Sequence, residues 1–132
     1  MPDINKIQFS GTDAYLRAAM SGLAARQRTI ANNVANVDTP NFKASEVRFE
    51  DTLKSAMTRA ARGFTPTSQT ALNAAASQSK LVDATSSRGD GNNVDIDREM
   101  EALSEANLTY SALTQAMSTR ISILRNVISG GR

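Results

Sequence analysis

The feature that most constrains this chain is a long apolar seam near its end, with residues spaced alternately by four and three positions. This alternation is the heptad pattern of a coiled coil, in which a narrow stripe of one helix packs against another helix. The pattern predicts a helix over residues 95–129, about 50 Å long at the usual rise per residue. The seam consists of Ile96, Met100, Leu103, Asn107, Tyr110, Thr114, Met117, Ile121, Leu124 and Ile128.

A second seam near the start of the chain predicts a helix over residues 12–37. Thr12 is expected to cap its first turn, because a hydroxyl can accept a hydrogen bond from an otherwise unpaired amide. Pro40 cannot continue the helical hydrogen bonds, so this helix should end near Val37 or Asp38. The seam consists of Leu16, Met20, Leu23, Ile30, Val34 and Val37, interrupted once by Gln27.

The segment between the two seams is polar and rich in Gly, Pro, Ser and Thr, which favours loops. Val47, Phe49 and Leu53 could form one short amphipathic piece, and residues 71–76 a marginal helix. The expected fold class is therefore mainly α and elongated, with an irregular polar middle region. The expected units are an N-terminal helix with its turn (1–57), a middle segment (58–93) and a C-terminal coiled-coil helix (94–132).

Composition argues against an enzyme. The chain has no His and no Cys, which removes the commonest general base and every imidazole or thiolate metal ligand, and no cofactor is implied. Its 15 basic and 13 acidic residues form no block, so nucleic acid is not an expected partner, and Arg17, Arg26 and Arg28 are interpreted as a solvated helix face. We also expect no membrane span, no cleaved signal peptide and no direct lipid binding.

An acidic cluster marks the start of the second helix, and paired carboxylates could in principle hold a divalent cation. Read as a calcium loop from Asp90, however, the sequence places Val94 at a ligand position and Asp95 where the sharp turn requires Gly. Helix capping and favourable interaction with the helix dipole are the preferred interpretation, and a metal-binding regulator is the alternative. The cluster comprises Asp90, Asp95, Asp97, Glu99 and Glu101.

The most unusual segment is residues 31–43, because Asn is a poor helix former and three Asn residues stand at a helix end. One account is a fraying helix end, where Asn side chains bond free backbone carbonyls. The other places Asn32, Asn33 and Asn36 at a subunit boundary as directed donors and acceptors. The physical chemistry of these residues leaves both accounts open.

This segment resembles the signature of the axial proteins of the bacterial flagellum, in which an Asn-rich helix end precedes Thr-Pro, a turn-forming residue, an aromatic residue and Lys. Residues 92–100, with the sequence NNVDIDREM, resemble the proximal rod subunits of that family. Many relatives carry Gly where this chain has Asn41, and Asn tolerates the left-handed backbone that such a turn needs. The resemblance covers roughly residues 14–57 and 89–129.

The resemblance implies a structural, non-enzymatic subunit of the proximal rod of the flagellar basal body, located in the periplasmic space. It implies that the first and last helices pair antiparallel and assemble with other subunits around a central export channel, transmitting torque. Implied partners are other rod subunits and further copies of itself, the membrane-ring protein or its rod adaptor, and the flagellar type III export apparatus. The alternatives are a related proximal-rod paralogue or a coiled-coil adaptor of another secretion system.

Two sets of residues follow as candidate functional residues. Phe49 and Leu53 have the spacing of the short element that export substrates of this family present to the export gate, although a local packing contact explains them equally well. The candidate assembly interface comprises Leu16, Met20, Leu23, Gln27, Ile30, Asn32, Asn33, Val34, Asn36, Thr39, Pro40, Met100, Leu103, Asn107, Tyr110, Met117, Ile121, Leu124 and Ile128.

Overall fold

The computed structural model describes residues 11–62, 73, 78–82 and 88–130. Two long helices dominate it and pack against each other, so the expected mainly α, elongated class is confirmed. No helix within the described part of the chain combines the length and apolar character needed to cross a membrane. The elements are α1 (Gly11–Ala35), β1 (Ser45–Val47), α2 (Glu50–Ala61), β2 (Ser79–Leu81) and α3 (Ile96–Ile128).

Helices α1 and α3 pair antiparallel. The start of α1 contacts the later part of α3, and the end of α1 contacts the start of α3. Three polar contacts show this register along the whole length of α1. They are an ion pair between Asp13 and Arg120, a hydrogen bond of 2.8 Å from Gln27 Nε2 to Asn107 Oδ1, and one of 2.9 Å from Asn33 Nδ2 to Glu99 Oε1. The antiparallel hairpin implied by the family resemblance is thus present.

The face that α3 presents to α1 differs in part from the predicted seam. From Leu103 onward, every second predicted position is at least partly buried, namely Leu103, Tyr110, Met117 and Leu124, whereas Ile96 at the start of the seam is 46% exposed. The alternate positions are exposed, namely Met100, Asn107, Thr114 and Ile121, and their preceding neighbours Glu99, Ala106, Leu113 and Arg120 are at least partly buried instead. The seam is offset because polar contacts at Glu99 and Arg120 and the small side chain of Ala106 favour this rotation, and an apolar pattern cannot detect them.

On α1 the predicted seam agrees with the structure. Leu23 and Ile30 are buried, and the other five predicted positions are all partly buried. Gln27, the polar interruption, bonds to Asn107, the polar member of the other predicted seam. The two polar residues therefore satisfy each other across the hairpin.

The last turns of α3 extend past the start of α1, since Arg120 already contacts Asp13 near the first turn of α1. Ile121 is 49% exposed and Ile128 is 69% exposed. Exposed apolar side chains at this density mark a surface suited to contact with another protein.

Helix α1 ends at Ala35, two residues before the predicted end near Val37, while α3 begins and ends close to its predicted bounds. Asp95 caps α3 by accepting hydrogen bonds from the backbone N–H groups of Asp97 and Arg98. Gly130 follows the helix with a φ of +83°, the left-handed conformation that glycine adopts at a C-terminus. Thr12 was expected to be a cap but lies inside the first turn of α1, which begins at Gly11.

The middle of the chain contains more regular structure than its composition suggested. Strand β1 pairs antiparallel with β2, with Ser45 opposite Leu81. Helix α2 runs across the predicted boundary between residues 57 and 58. The expected marginal helix over residues 71–76 lies outside the described residues, apart from Asn73.

The core is small and forms where α1, β1, α2 and α3 meet. Its buried apolar members are Ala19, Leu23, Ala25, Val47, Phe49 and Ala106. Phe49 packs directly on the backbone of α1 at Gly22, where an added Cβ would lie 2.4 Å from the ring atom Cγ of Phe49. A glycine is therefore required at this point of α1 for the aromatic ring to fit.

We predict that Gly22→Ala destabilises the protein by about 1–3 kcal/mol, because overpacking forces Phe49 off its site and outweighs the better helix propensity of Ala. Urea unfolding followed by circular dichroism measures the change. Gly89→Ala is the matched control, because an added Cβ at Gly89 has no atom within 4 Å. Equal stability of the two variants would contradict the proposed packing.

We predict that replacing both Gln27 and Asn107 with Leu keeps the hairpin helical but loosens its register, because this pair is the central one of the three polar contacts that specify alignment. The chain has no Cys, so engineered disulfides can report the alignment. Leu16→Cys with Met117→Cys tests the observed register, and Leu16→Cys with Tyr110→Cys tests a shift of one heptad. The parent chain should form only the first disulfide, and the double-Leu variant should form both. If the double-Leu variant forms only the disulfide between positions 16 and 117, the Gln27–Asn107 pair does not specify the register.

Candidate functional site, an amide junction between the long helices

The turn after α1 is held in part by its own Asn residues. Asn36 Nδ2 donates to the carbonyl of Asn32 at 2.8 Å, and Thr39 Oγ1 donates to Asn36 Oδ1 at 3.2 Å. These local bonds match the helix-end account of the Asn-rich segment. Asn41 has a φ of +61°, as its left-handed tolerance predicted, and its backbone N–H donates to the carbonyl of Asp90 at 2.9 Å.

Asn92, from the loop before α3, holds the turn that follows α1. Its side chain is fully buried, and Nδ2 contacts the backbone carbonyls of Asn36, Val37 and Thr39 at 2.9, 3.0 and 2.8 Å. Carbonyls in a turn have no helical partners, so they need donors of this kind when they are buried. The other side-chain atom, Oδ1, accepts from the N–H of Val94 at 2.8 Å.

Asn33 and Asn93 bind the backbone around β1 in the same manner. Asn33 Oδ1 accepts from the N–H of Ser45 at 3.0 Å, and Asn33 Nδ2 donates to the carbonyl of Ser45 at 2.8 Å and to Glu99. Asn93 Oδ1 accepts from the N–H of Ala44 at 2.7 Å. Together Asn33, Asn92 and Asn93 form what we call the amide junction. It joins the two segments on which the family resemblance rests.

Asn33 therefore has its hydrogen-bond partners within its own chain and is fully buried. Neither account of the Asn-rich segment predicted this role. Asn32 is exposed, and Asn36 is partly buried.

Arg26 differs from the solvated helix residue that the sequence suggested. Its guanidinium donates twice to the carbonyl of Val47, at 3.1 and 2.8 Å, and forms an ion pair with Glu50 at 2.5 Å. It also lies 4.8 Å from the centre of the Phe49 ring, within the range of a cation–π contact. Arg26 thus fastens β1 and the start of α2 to α1.

Three carboxylates of the acidic cluster, Asp90, Asp95 and Glu99, are engaged in structural contacts. Burial raises the pKa of Glu99, and the hydrogen bond from Asn33 opposes part of that rise. The backbone N–H of Asn92, followed by the side chain of Arg88, lowers the pKa of Asp90. Among the residues that the structure describes, no group of three or more acidic side chains converges to hold a metal ion.

A polar cleft of about 440 Å³ opens beside the amide junction, between α1, β1 and the start of α3. Arg26, Arg48, Arg88 and Arg98 line it together with Glu46, Asp95, Glu99 and Glu105. Because its charges balance, the cleft shows no preference for an anionic or a cationic ligand. Its side chains mostly bond to one another or to the backbone, which is typical of a structural junction.

The predicted interface residues fall into three groups by burial. Leu23, Ile30 and Asn33 are buried; Leu16, Met20, Gln27, Val34, Asn36, Leu103, Tyr110, Met117 and Leu124 are partly buried; Asn32, Thr39, Pro40, Met100, Asn107, Ile121 and Ile128 are exposed. Phe49 is buried in the core, and Leu53 is partly buried beside it. Asn92, Asn93 and Arg26 were missed, although two adjacent Asn residues just before a helix cap are a signal for such contacts.

Comparison with known proteins identifies the lineage of this fold. A family model described as flagella basal body rod protein matches residues 16–43, which include the whole Asn-rich segment. The chain is similar to the flagellar basal body rod protein FlgB of Bacillus subtilis, with 36% identity over 94% of this chain and 98% of the relative. It is 33% identical to FlgB of Salmonella typhimurium and to FlgB of Escherichia coli, each over 90% of this chain and 96% of the relative. The chain therefore belongs to the flagellar basal body rod protein family.

Proposed function

We propose that this chain is a structural subunit of the proximal rod that polymerises helically around the export channel and transmits torque. The observation that supports this most strongly is the exposed apolar end of α3. Ile121, Val127 and Ile128 are between 49% and 71% exposed. A soluble monomer rarely leaves several large aliphatic side chains so exposed on one helix, whereas an assembling subunit covers them with neighbours.

The proposed interface follows the part of the predicted seam that α1 leaves uncovered. Met100, Ile121 and Ile128 lie on one side of α3, beside the face that α1 occupies. Asn107 lies on the same side and is exposed, although it also bonds to Gln27 of α1. Asn32, Thr39 and Pro40 present a second exposed surface at the turn after α1. In this proposal the buried members of the predicted set, such as Leu23, act indirectly by fixing the hairpin.

Torque transmission requires that the two helices neither slide nor roll on each other. The three polar pairs between α1 and α3 oppose sliding, because a shift of one turn would leave each polar group without its partner. Arg26 and the amide junction tie α1 to β1 and to the loop before α3. These contacts suit a load-bearing element and need no catalytic residue or cofactor.

The proposed partners are neighbouring rod subunits and further copies of this chain, with the membrane-ring protein or its adaptor at the inner end of the rod. Delivery to the periplasmic space would use the flagellar type III export apparatus. A coiled-coil adaptor of another secretion system is the rival function, and it is supported only by the helices. The similarity to FlgB of three bacteria favours the rod, and among rod subunits it favours this type.

The candidate export element is concealed in the folded subunit. Phe49 is 5% exposed and packs on Gly22, and Leu53 packs against the same core. An export gate could therefore contact the pair only on an unfolded chain. The same contacts explain why both residues are apolar whether or not the gate reads them.

We predict that Phe49→Ala with Leu53→Ala reduces secretion of the subunit, because the gate loses two apolar contacts. Secreted and cytoplasmic amounts are measured by immunoblot. Leu23→Ala with Val47→Ala is the control, since it weakens the same core without touching the element. An equal loss of secretion in the control, or normal secretion of the test variant without rods, would show that Phe49 and Leu53 serve packing alone.

We predict that Ile121→Asp with Leu124→Asp leaves the subunit abundant and secreted but abolishes rods and swimming. Truncating buried aliphatic side chains costs about 2–5 kcal/mol each, and a buried carboxylate adds its desolvation. Ser122→Asp with Asn126→Asp is the control, because it adds the same charges at exposed polar positions of the same turns. Electron microscopy of basal bodies and motility in soft agar are the measurements. Normal swimming of the test variant would refute assembly through α3.

A further inference from the structure

An open apolar groove of about 660 Å³ runs between the first turns of α1 and the later part of α3. Ile123, at one end of its α3 wall, is 57% exposed. It lies on a different side of α3 from Ile121, because two successive steps along a helix rotate by about 200°. The groove is therefore distinct from the interface proposed above. The residues that line it include Thr12, Leu16, Ala112, Ala116, Thr119 and Ile123.

The residues that precede α1 carry large apolar side chains beside this groove. Gly11 is the first residue of α1, and Thr12 already lines the groove. Phe9 is two residues from Gly11, so its Cα lies within about 7 Å of the start of α1 in any backbone conformation. Ile7 and Phe9 alternate with Gln8, and alternate residues of an extended chain lie on the same side. An apolar pair is thus tethered next to an apolar groove.

The groove and this segment also match in length. The rise of α3 from Ala112 to Ile123 is about 17 Å. An extended chain covers that distance in about five residues, which is the separation of Ile4 and Phe9. With Phe9 beside Ile123, the segment reaches the far end of the groove.

We propose that residues 1–10 bind back along this groove of their own subunit as a strap, with Ile7 against Thr119. Tethering favours this occupant, because a segment joined to the groove by a short linker has an effective concentration of about millimolar, which an unlinked neighbour must exceed. The strap covers a side of α3 away from Ile121, so subunits that assemble through Ile121 contact α3 from one side only. This consequence rests on the proposed function, whereas the strap itself does not.

Engineered disulfides test the strap in cells, because the parent chain has no Cys. Ile7→Cys with Thr119→Cys reports the strap, and Ile7→Cys with Val127→Cys reports a segment that continues in the direction of α1. The two α3 positions are separated by a rise of about 12 Å, so one conformation cannot form both disulfides. Exported copies are oxidised with copper phenanthroline, and monomers with an internal disulfide are separated on non-reducing gels. We expect at least tenfold more of the disulfide to position 119.

Gln8→Cys with Thr119→Cys is the matched control, since Gln8 faces the other side of an extended segment, and it should give at least tenfold less internal disulfide. A stronger disulfide to position 127, or an equal yield from the control, would overturn the strap. A disulfide-linked dimer in place of the internal disulfide would also overturn it, because the segment then binds a neighbouring subunit.

A second measurement applies if the Cys pairs do not accumulate. Ala116→Cys alone is labelled with a maleimide, and adding Ile7→Ser with Phe9→Ser should raise the labelling rate at least fivefold; an unchanged rate contradicts the strap. Incorporation into purified basal bodies is scored separately by immunoblot. Incorporation without the disulfide to position 119 refutes the strap alone, and that disulfide in a chain absent from basal bodies refutes the proposed function alone.

Discussion

The packing of α1 against α3 determines almost everything else in this subunit, and polar contacts fix the details of that packing. The chain has no Trp and few aromatic residues, so the hairpin encloses a core of mostly small side chains. Apolar contacts between such helices favour association but distinguish poorly between registers. Three polar pairs select one register: Asp13 with Arg120, Gln27 with Asn107, and Asn33 with Glu99. Each pair contacts both helices at a different height, so only one alignment satisfies all of them.

Heptad spacing predicted the two long helices, their approximate ends and the cap at Asp95, because these depend on local chemistry. The rotation of α3 could not be predicted from the same spacing. A seam through Met100 and Ile121 and a seam through Ala106 and Leu113 share every second residue and differ by a small rotation. Choosing between them requires the positions of Asp13 and Asn33 on the other helix. Asp13 is about a hundred residues from its partner Arg120, and Asn33 is 66 residues from Glu99. A local sequence pattern carries no information about contacts between residues so far apart.

The sequence indicated which segments form the candidate site but not the contacts between them. The Asn-rich segment and residues 92–100 were recognised as the distinctive parts of the chain, and the structure joins them directly. The roles of Asn92 and Asn93 depend on which carbonyls and amides they meet, and only the fold determines that. Strands β1 and β2 were missed because three residues are too few to establish an alternating pattern. Arg26 was misassigned because an Arg on a helix is usually solvated, and nothing local indicates the Val47 carbonyl beneath it.

The hydrogen bonds of β1 also determine what the outer edge of this strand offers to another molecule. Alternate residues of an edge strand direct their N–H and C=O groups away from the sheet, where a strand of another molecule could pair with them. On β1 these are Ser45 and Val47, since the carbonyl of Ala44 already accepts from the β2 side. The Asn33 amide bonds both groups of Ser45, and Arg26 bonds the carbonyl of Val47. Helix α1 thus occupies that edge with side chains in place of a third strand, so these groups are not available to a strand of another molecule while the contacts hold.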